Sequence, residues 1–158
     1  MPGSYAAGRA AGIVTGFGLG GFVDGIVAHQ ILGWHHMLSG WVAIGTEQGM
    51  RTNMIGDGIF HLLCLTVVVI GLFLVRSNGQ AANGTQFIGA LLAGWGLFNL
   101  LEGIVDHQIL GVHHVRPGPN ELLFDLGFLA VGAILLIAGL ALSRPTPTRP
   151  AVARASGR

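Results

Sequence analysis

The segment that decides the fold is DGIVAHQILGWHH at residues 24–36, which recurs as EGIVDHQILGVHH at residues 102–114. Ten of the 13 positions are identical, at a constant offset of 78. The chain after each copy also aligns, at an offset of 68, which pairs Asp57 with Asp125 and Arg76 with Arg144. The sequence is therefore a tandem duplication, with repeat one at 11–76 and repeat two at 86–144.

Each copy of the motif ends a long apolar segment, and a second apolar segment follows it. The four segments lie at about 11–33, 54–75, 86–110 and 122–143. Each approaches the ~20 residues that a helix needs to cross the hydrocarbon core. Because lipid offers backbone groups no hydrogen-bond partners, we predict that all four are transmembrane helices.

The composition agrees with a protein whose main partner is the lipid bilayer. Only 9% of the 158 residues are charged and 51% are hydrophobic, whereas an ordinary soluble domain is about 25% charged. A soluble enzyme and a disordered chain are both excluded on this ground. The net charge of +1 excludes a nucleic-acid-binding protein. The single cysteine excludes a disulfide framework within the chain.

The predicted fold is an all-α integral membrane protein, built from two tandem parallel two-helix repeats with pseudo-twofold symmetry. We expect one compact four-helix bundle over residues 1–145. The arginine distribution predicts that both termini lie in the cytoplasm. Residues 146–158 are predicted to form a disordered cytoplasmic tail.

The duplication keeps polar residues that a membrane span does not need. Intramembrane ionisable residues are costly and usually face a bundle interior or an aqueous cavity, so they indicate a functional site. Six of the seven histidines belong to the repeated motif, and all seven lie in or beside the outer halves of the spans. The candidate metal-site residues are His29, His35, His36, Asp57, His61, His107, His113, His114, Asp24, Glu102, Asp106 and Asp125.

A helical wheel divides the motif into two stripes. Asp24 and His35 lie on one stripe, and His29 and His36 lie on another, more than about 100° away in an α-helix. A regular α-helix therefore cannot direct all of these side chains at one atom. Gly33 is predicted to end the helix, which would allow the following histidine pair to fold back.

The chemistry of the candidate site points to a metal or a haem. Imidazoles with carboxylates are the ligand set of zinc, copper or iron. Opposed histidines on facing helices could instead hold a haem b. Cys64 and three methionines in or next to the first outward loop would favour Cu(I) if they took part. Those methionines are Met37, Met50 and Met54.

Four further polar residues receive supporting roles. Gln30 and Gln108, which occupy matching motif positions, are predicted to orient ligands or bridge helices. Asn53 and Glu121, which precede the second and fourth spans, are predicted to cap those helices.

The repeated (D/E)GIVxHQILGxHH signature resembles a family of bacterial predicted membrane proteins known as a domain of unknown function. The resemblance covers about residues 11–143. It implies a four-span, multi-pass protein of the bacterial inner membrane, and it implies no particular activity.

The leading functional hypothesis is a metal- or haem-binding membrane protein, with a possible redox role. Proton or cation translocation is an alternative, although the inner halves of two spans, 65–75 and 126–142, contain no Asp, Glu or His. An assembly subunit of a respiratory or metal-handling membrane complex is another alternative. A membrane metallohydrolase is a fourth, so the sequence leaves open whether the protein is an enzyme, and it leaves the oligomeric state open as well.

Overall fold

The computed structural model describes residues 2–78 and 83–145. Within these residues the chain is all-helical and contains no strand, which confirms the predicted fold class. The elements are α1 (Pro2–Asp24), the π-helical segment π1 (Gly25–Ile31), α2 (Glu47–Asn78), α3 (Gly84–Glu102), the π-helical segment π2 (Gly103–Ile109) and α4 (Glu121–Leu142).

Four helical stretches are long and apolar enough to cross a membrane, as the sequence predicts. They are Tyr5–Ile31, Glu47–Ser77, Gly84–Ile109 and Glu121–Leu142. The second begins at Glu47 rather than near residue 54, because Thr46 starts the helix. Its hydroxyl accepts a hydrogen bond from Gly49 N at 3.0 Å, and its carbonyl accepts one from Met50 N at 2.9 Å. The loop between the first two spans is therefore shorter than the 34–53 that the predicted segments leave between them.

The four helices pack in the order α2, α1, α3, α4, so that α1 and α3 join the two repeats. Helix α1 packs against both α2 and α3, and α4 packs against α3. Within the described residues, α2 and α4 have no Cα atoms within 8 Å of each other. The most apolar windows of α1 and α3 are 44% and 50% buried, against 11% and 17% for α2 and α4. Glycines permit close approach at all three of these interfaces, as at Gly71 against Thr15, Gly16 against Leu91 and Gly96 against Leu136, and the single compact bundle over residues 1–145 stays a prediction.

Glycines allow α1 and α3 to cross at backbone distance. A Cβ added at Gly16 would clash with the carbonyl of Leu91, and one added at Gly94 would clash with the carbonyl of Ile13. Positions 13 and 91 correspond in the duplication, as do 16 and 94. Reciprocal contacts of this kind are what a twofold axis produces. They favour the pseudo-twofold relation, which stays a prediction from the sequence repeat.

The beginning of α1 lies beside the end of α4. The Tyr5 hydroxyl donates to the backbone carbonyl of Ser143, and Arg9 Nε donates to Ser143 Oγ at 3.2 Å. Gln86, near the start of α3, donates to Arg144 O at 3.1 Å. The two motif copies therefore lie at the opposite end of the molecule from these residues. The cytoplasmic placement of the termini stays a prediction, and the predicted tail at 146–158 lies outside the described residues.

Candidate metal centre

The π-helical segments bring together side chains that an α-helix would separate. Leu32 N donates to Val27 O at 2.9 Å, and Leu110 N donates to Val105 O at 2.8 Å, so each bond reaches back five residues. Residues five apart therefore share a face. His29 Nε2 lies 3.7 Å from Asp24 Oδ2 as a result. The prediction of two separate stripes is wrong, because it assumed α-helical periodicity through this segment.

A left-handed glycine then reverses the chain after each π segment. Gly33 and Gly111 both have φ of +56°, a conformation that side chains rarely adopt. Trp34 N donates to Ala28 O and Val112 N donates to Asp106 O, both at 2.9 Å, which closes each turn with a bond over six residues. The predicted helix ends are confirmed at these glycines, and the histidine pairs that follow fold back toward the helices.

Four histidine rings meet at the centre of this end of the molecule. The ring centroids of His29 and His35 are 4.4 Å apart, and those of His107 and His113 are 4.9 Å apart. His35 and His113 stack across the two repeats, with centroids 4.5 Å apart and an interplanar angle of 7°. All four residues are at most 3% exposed. We call these four residues the histidine cluster.

The loops of the two repeats exchange hydrogen bonds to orient the stacked pair. His35 Nδ1 lies 2.8 Å from Val115 O, and His113 Nδ1 lies 3.2 Å from Met37 O. A carbonyl oxygen can only accept, so each Nδ1 carries the proton and each Nε2 keeps its lone pair. The acceptors are backbone atoms at corresponding positions, 37 and 115. Sequence reasoning missed them because no side-chain pattern marks a carbonyl.

Asp57 fixes the other histidines of repeat one. Its carboxylate oxygens lie 2.8 Å from His29 Nδ1 and 2.6 Å from His36 Nδ1, and it accepts from Met37 N at 2.7 Å. One carboxylate thus holds a cluster histidine, a partly exposed histidine and the loop backbone. Asp57 is therefore placed to orient histidines that could bind a metal, rather than to bind the metal itself.

Asp125 occupies the corresponding place in repeat two. It lies 2.7 Å from His114 Nδ1 and 3.5 Å from His107 Nδ1, and it accepts from Val115 N at 3.0 Å. Gln108 Nε2 also donates to Asp125 Oδ2 at 3.0 Å, which is the orienting role expected for this glutamine. Gln30, its counterpart, is exposed.

The atoms that remain without a partner converge on the centre. Nε2 of all four cluster histidines is buried and has no hydrogen-bond partner among the described residues, and the same is true of both oxygens of Glu102. Two overlapping groups offer ligand atoms within 4.8 Å of one another and could hold a metal ion. These groups are His29, His35 and His113, and Glu102, His107 and His113.

The remaining candidates lie around this centre rather than in it. His36 and His114 lie on the outer side of the two aspartates, and His114 Nε2 is 3.4 Å from Glu121 Oε1. His61 packs edge-on against Phe22, with centroids 5.5 Å apart, and lies outside both ligand groups. Asp106 and Cys64 also lie outside both groups.

Two phenylalanines that sequence reasoning missed flank the cluster. Phe60 stacks on His29 with centroids 5.8 Å apart, and Phe128 lies against His107 at 5.4 Å. They are related by the same offset of 68 as Asp57 and Asp125. The repeat could have revealed them. Hydrophobicity alone does not require two spans to keep an aromatic ring at matching positions.

The predicted capping roles of Asn53 and Glu121 are wrong. Asn53 lies inside α2, accepts from Leu38 N at 3.1 Å and donates to Val42 O at 3.0 Å, so it secures the first outward loop. Glu121 is the first residue of α4 and faces His114. The early start of α2 at Glu47 explains the error for Asn53.

Burial keeps the loop histidines neutral. Removal from water, with His113 nearby, lowers the pKa of His35 to about 2. Burial also lowers the pKa of His113. Both imidazoles are therefore uncharged near pH 7, which is the form that binds metal ions.

Comparison with known proteins identifies the family. No curated protein and no solved structure gives a significant match. The sequence model of a family described as a predicted membrane protein, DUF2243, matches residues 11–146. That range contains all four apolar helices apart from the first residues of α1, and both copies of the motif. The chain therefore belongs to the DUF2243 family of predicted membrane proteins.

Proposed function

We propose that this protein binds one transition-metal ion in the membrane, at the histidine cluster, with Nε2 of His29, His35 and His113 as ligands. The observation that carries the proposal is the convergence of four buried imidazole nitrogens that lack any partner among the described residues. Buried polar atoms in folded proteins are nearly always satisfied, because an unpaired one costs free energy. A metal ion held by His29, His35 and His113 would satisfy three of them at once.

The surroundings of the cluster support metal binding over a structural role. A metal-bound histidine usually donates its other N–H to a carboxylate or a backbone carbonyl. His29 faces Asp57 in this way, and His35 and His113 face carbonyls. Histidines that served only as hydrogen-bond links between helices would use both ring nitrogens, whereas His29, His35 and His113 each use one.

The ligand set favours a divalent ion such as zinc, copper(II) or iron(II). Imidazole binds all three well. Cys64 lies outside both ligand groups, which removes the thiol that would favour Cu(I). A redox role would require copper or iron at this centre, whereas zinc would make it structural or hydrolytic.

A haem b fits the cluster less well. The stacked rings of His35 and His113 are 4.5 Å apart, and His29 and His107 contact them on either side. The space around the shared centre is therefore filled by imidazole rings. A haem would need that space for its planar porphyrin.

Elemental analysis of the purified protein in detergent tests the proposal. We expect close to one metal ion per chain in the wild type, with the element identifying the ion. Removing the stacked pair with His35→Ala and His113→Ala should lower metal content by at least about tenfold, because two of the three ligands are lost.

His61→Ala is the matched control, because His61 also has a buried, unpartnered Nε2 but lies outside both groups. It should keep its metal. The proposal fails if the wild type carries no metal after aerobic and anaerobic purification with metal added back. It also fails if His61→Ala loses as much metal as the double variant. An absorption spectrum without a Soret band would exclude haem.

A further inference from the structure

A second group of potential metal ligands overlaps the three-histidine site. It consists of Glu102, His107 and His113, whose ligand atoms lie within 4.8 Å of one another. All three residues are at most 4% exposed. Among the residues that the structure describes, both carboxyl oxygens of Glu102 and both ring nitrogens of His107 lack a hydrogen-bond partner. An ion held by His29, His35 and His113 would leave these buried atoms unsatisfied, at a cost in free energy.

The geometry of this second group suits a metal ion. Glu102 Oε1 lies 3.6 Å from His113 Nε2, and the rings of His107 and His113 have centroids 4.9 Å apart. Asp125 Oδ1 faces Nδ1 of His107 at 3.5 Å, as a carboxylate commonly faces the second nitrogen of a metal-bound histidine. Two imidazoles with one carboxylate are a ligand set that zinc and iron(II) sites use.

His113 belongs to both groups, so the two groups cannot each hold an ion at the same time. Its Nδ1 faces Met37 O at 3.2 Å and carries the proton, which leaves Nε2 with one lone pair for one ion. A zinc ion bound to imidazole lies about 2.0–2.1 Å from the nitrogen. The two positions are therefore no more than about 4 Å apart, and an ion can pass between them without leaving His113.

The two groups differ in charge. The first consists of three neutral imidazoles, whereas the second includes the carboxylate of Glu102. A divalent ion carries two positive charges into an interior of low dielectric constant, where an adjacent negative charge stabilises it strongly. The second position therefore competes with the first for a divalent ion, because it offers charge compensation that the first lacks.

We propose that the metal ion has two alternative positions, one at His29, His35 and His113 and the other at Glu102, His107 and His113, and that it moves between them with His113 as the shared ligand. The inference rests on the proposed function and adds the second position to it. The first position takes two of its three ligands from repeat one, and the second takes all three from repeat two. Movement between them transfers the ion from one repeat to the other.

The zinc content of variants loaded with Zn(II) in detergent tests this inference. His29→Ala removes only the first position and His107→Ala removes only the second, so each should keep most of the wild-type zinc. His113→Ala removes the shared ligand, and the double variant with His29→Ala and His107→Ala loses one ligand of each position. These last two proteins should hold at least about tenfold less zinc than the wild type.

Visible absorption of the Co(II)-loaded protein identifies which position is occupied. His29→Ala leaves the position with a carboxylate ligand and Glu102→Gln leaves the three-histidine position, so these two variants should give different spectra. The spectrum of His107→Ala should match that of Glu102→Gln, because both variants lose the second position. Asp24→Asn is the matched control, because Asp24 is the repeat-one counterpart of Glu102 and lies outside both groups. Its spectrum should match that of the wild type.

Three results would overturn the inference while metal binding itself stands. The first is a zinc loss in His29→Ala as large as that in His113→Ala, and the second is an equally large loss in His107→Ala. Either would show that the ion has a single position. The third is two zinc ions per chain in the wild type. A wild type that binds no metal would instead overturn the proposed function, and this inference with it.

Discussion

The two copies of the motif share one frame but differ in what surrounds it. In each copy, a π-helical segment leads to a glycine with φ of +56°, and an aspartate from the next helix holds two histidines and a loop N–H. Around that frame, repeat two adds Gln108 and Glu121 as polar partners. Repeat one instead has His61 and the exposed Gln30. The shared frame positions the four cluster histidines. Within it, Asp57 makes a hydrogen bond of 2.8 Å with His29, whereas Asp125 lies 3.5 Å from His107.

Substitutions of the two aspartates should have the largest effects. Asp57→Ala and Asp125→Ala should each lower the free energy of unfolding by about 3–5 kcal/mol, because three groups at each site lose the carboxylate they hydrogen-bond to. Each should also weaken metal binding about 10–100-fold, because the released histidines lose their orientation. Thermal unfolding and metal titration in detergent measure both effects.

Glu47→Ala serves as the control for the aspartates, since Glu47 is an exposed acid in the first turn of α2. It should change neither quantity. If one aspartate variant behaved like this control, the two repeats would not contribute equally to the centre.

The α1–α3 crossing gives the next largest effect. Gly16→Ala and Gly94→Ala should each destabilise the protein by about 1–3 kcal/mol or more, because the added methyl group meets a backbone carbonyl that cannot move aside easily. The effects of the two variants should be similar if the crossing is twofold. Gly127→Ala in α4 is the control, because nothing lies within 4 Å of its added Cβ. A stable Gly16→Ala variant with unchanged unfolding would contradict the close crossing.

The left-handed glycines should show a smaller, matched effect. Gly33→Ala and Gly111→Ala should each cost about 1–2 kcal/mol, which is the strain of a left-handed conformation in a residue with a Cβ. No steric term adds to this, because space is open around both positions. Metal content should fall together with stability, since these turns place His35 and His113. If the two variants had widely different unfolding midpoints, the two turns would not be equivalent.

The glutamines should give the smallest effect and the clearest difference between the repeats. Gln108→Ala removes a hydrogen bond to Asp125 and should cost about 0.5–1.5 kcal/mol. Gln30→Ala alters an exposed side chain and should be close to neutral. Equal costs in thermal unfolding would mean that Gln30 also makes a stabilising contact.

Much of the candidate site follows from the sequence because the duplication acts as an internal control. Histidines recur in both copies, and Asp57 matches Asp125. These matches identify polar residues that hydrophobicity alone would not retain. The spatial arrangement of those residues does not follow from the sequence. The helical wheel placed Asp24 and His29 on different faces, since nothing in the local pattern signals that residues 25–31 are π-helical.

The sequence by itself determined the four apolar helices, the duplication, the glycines that end the π segments and the set of polar residues at one end of the molecule. These depend on hydrophobicity and backbone conformation, which are local properties. The tertiary structure decided which histidine nitrogens meet, that Met37 and Val115 carbonyls orient the opposite repeat, and that α2 and α4 stay apart. These depend on how α1 and α3 cross, and that crossing is set by contacts between residues far apart in the chain, such as Gly16 with Leu91 and Gly94 with Ile13.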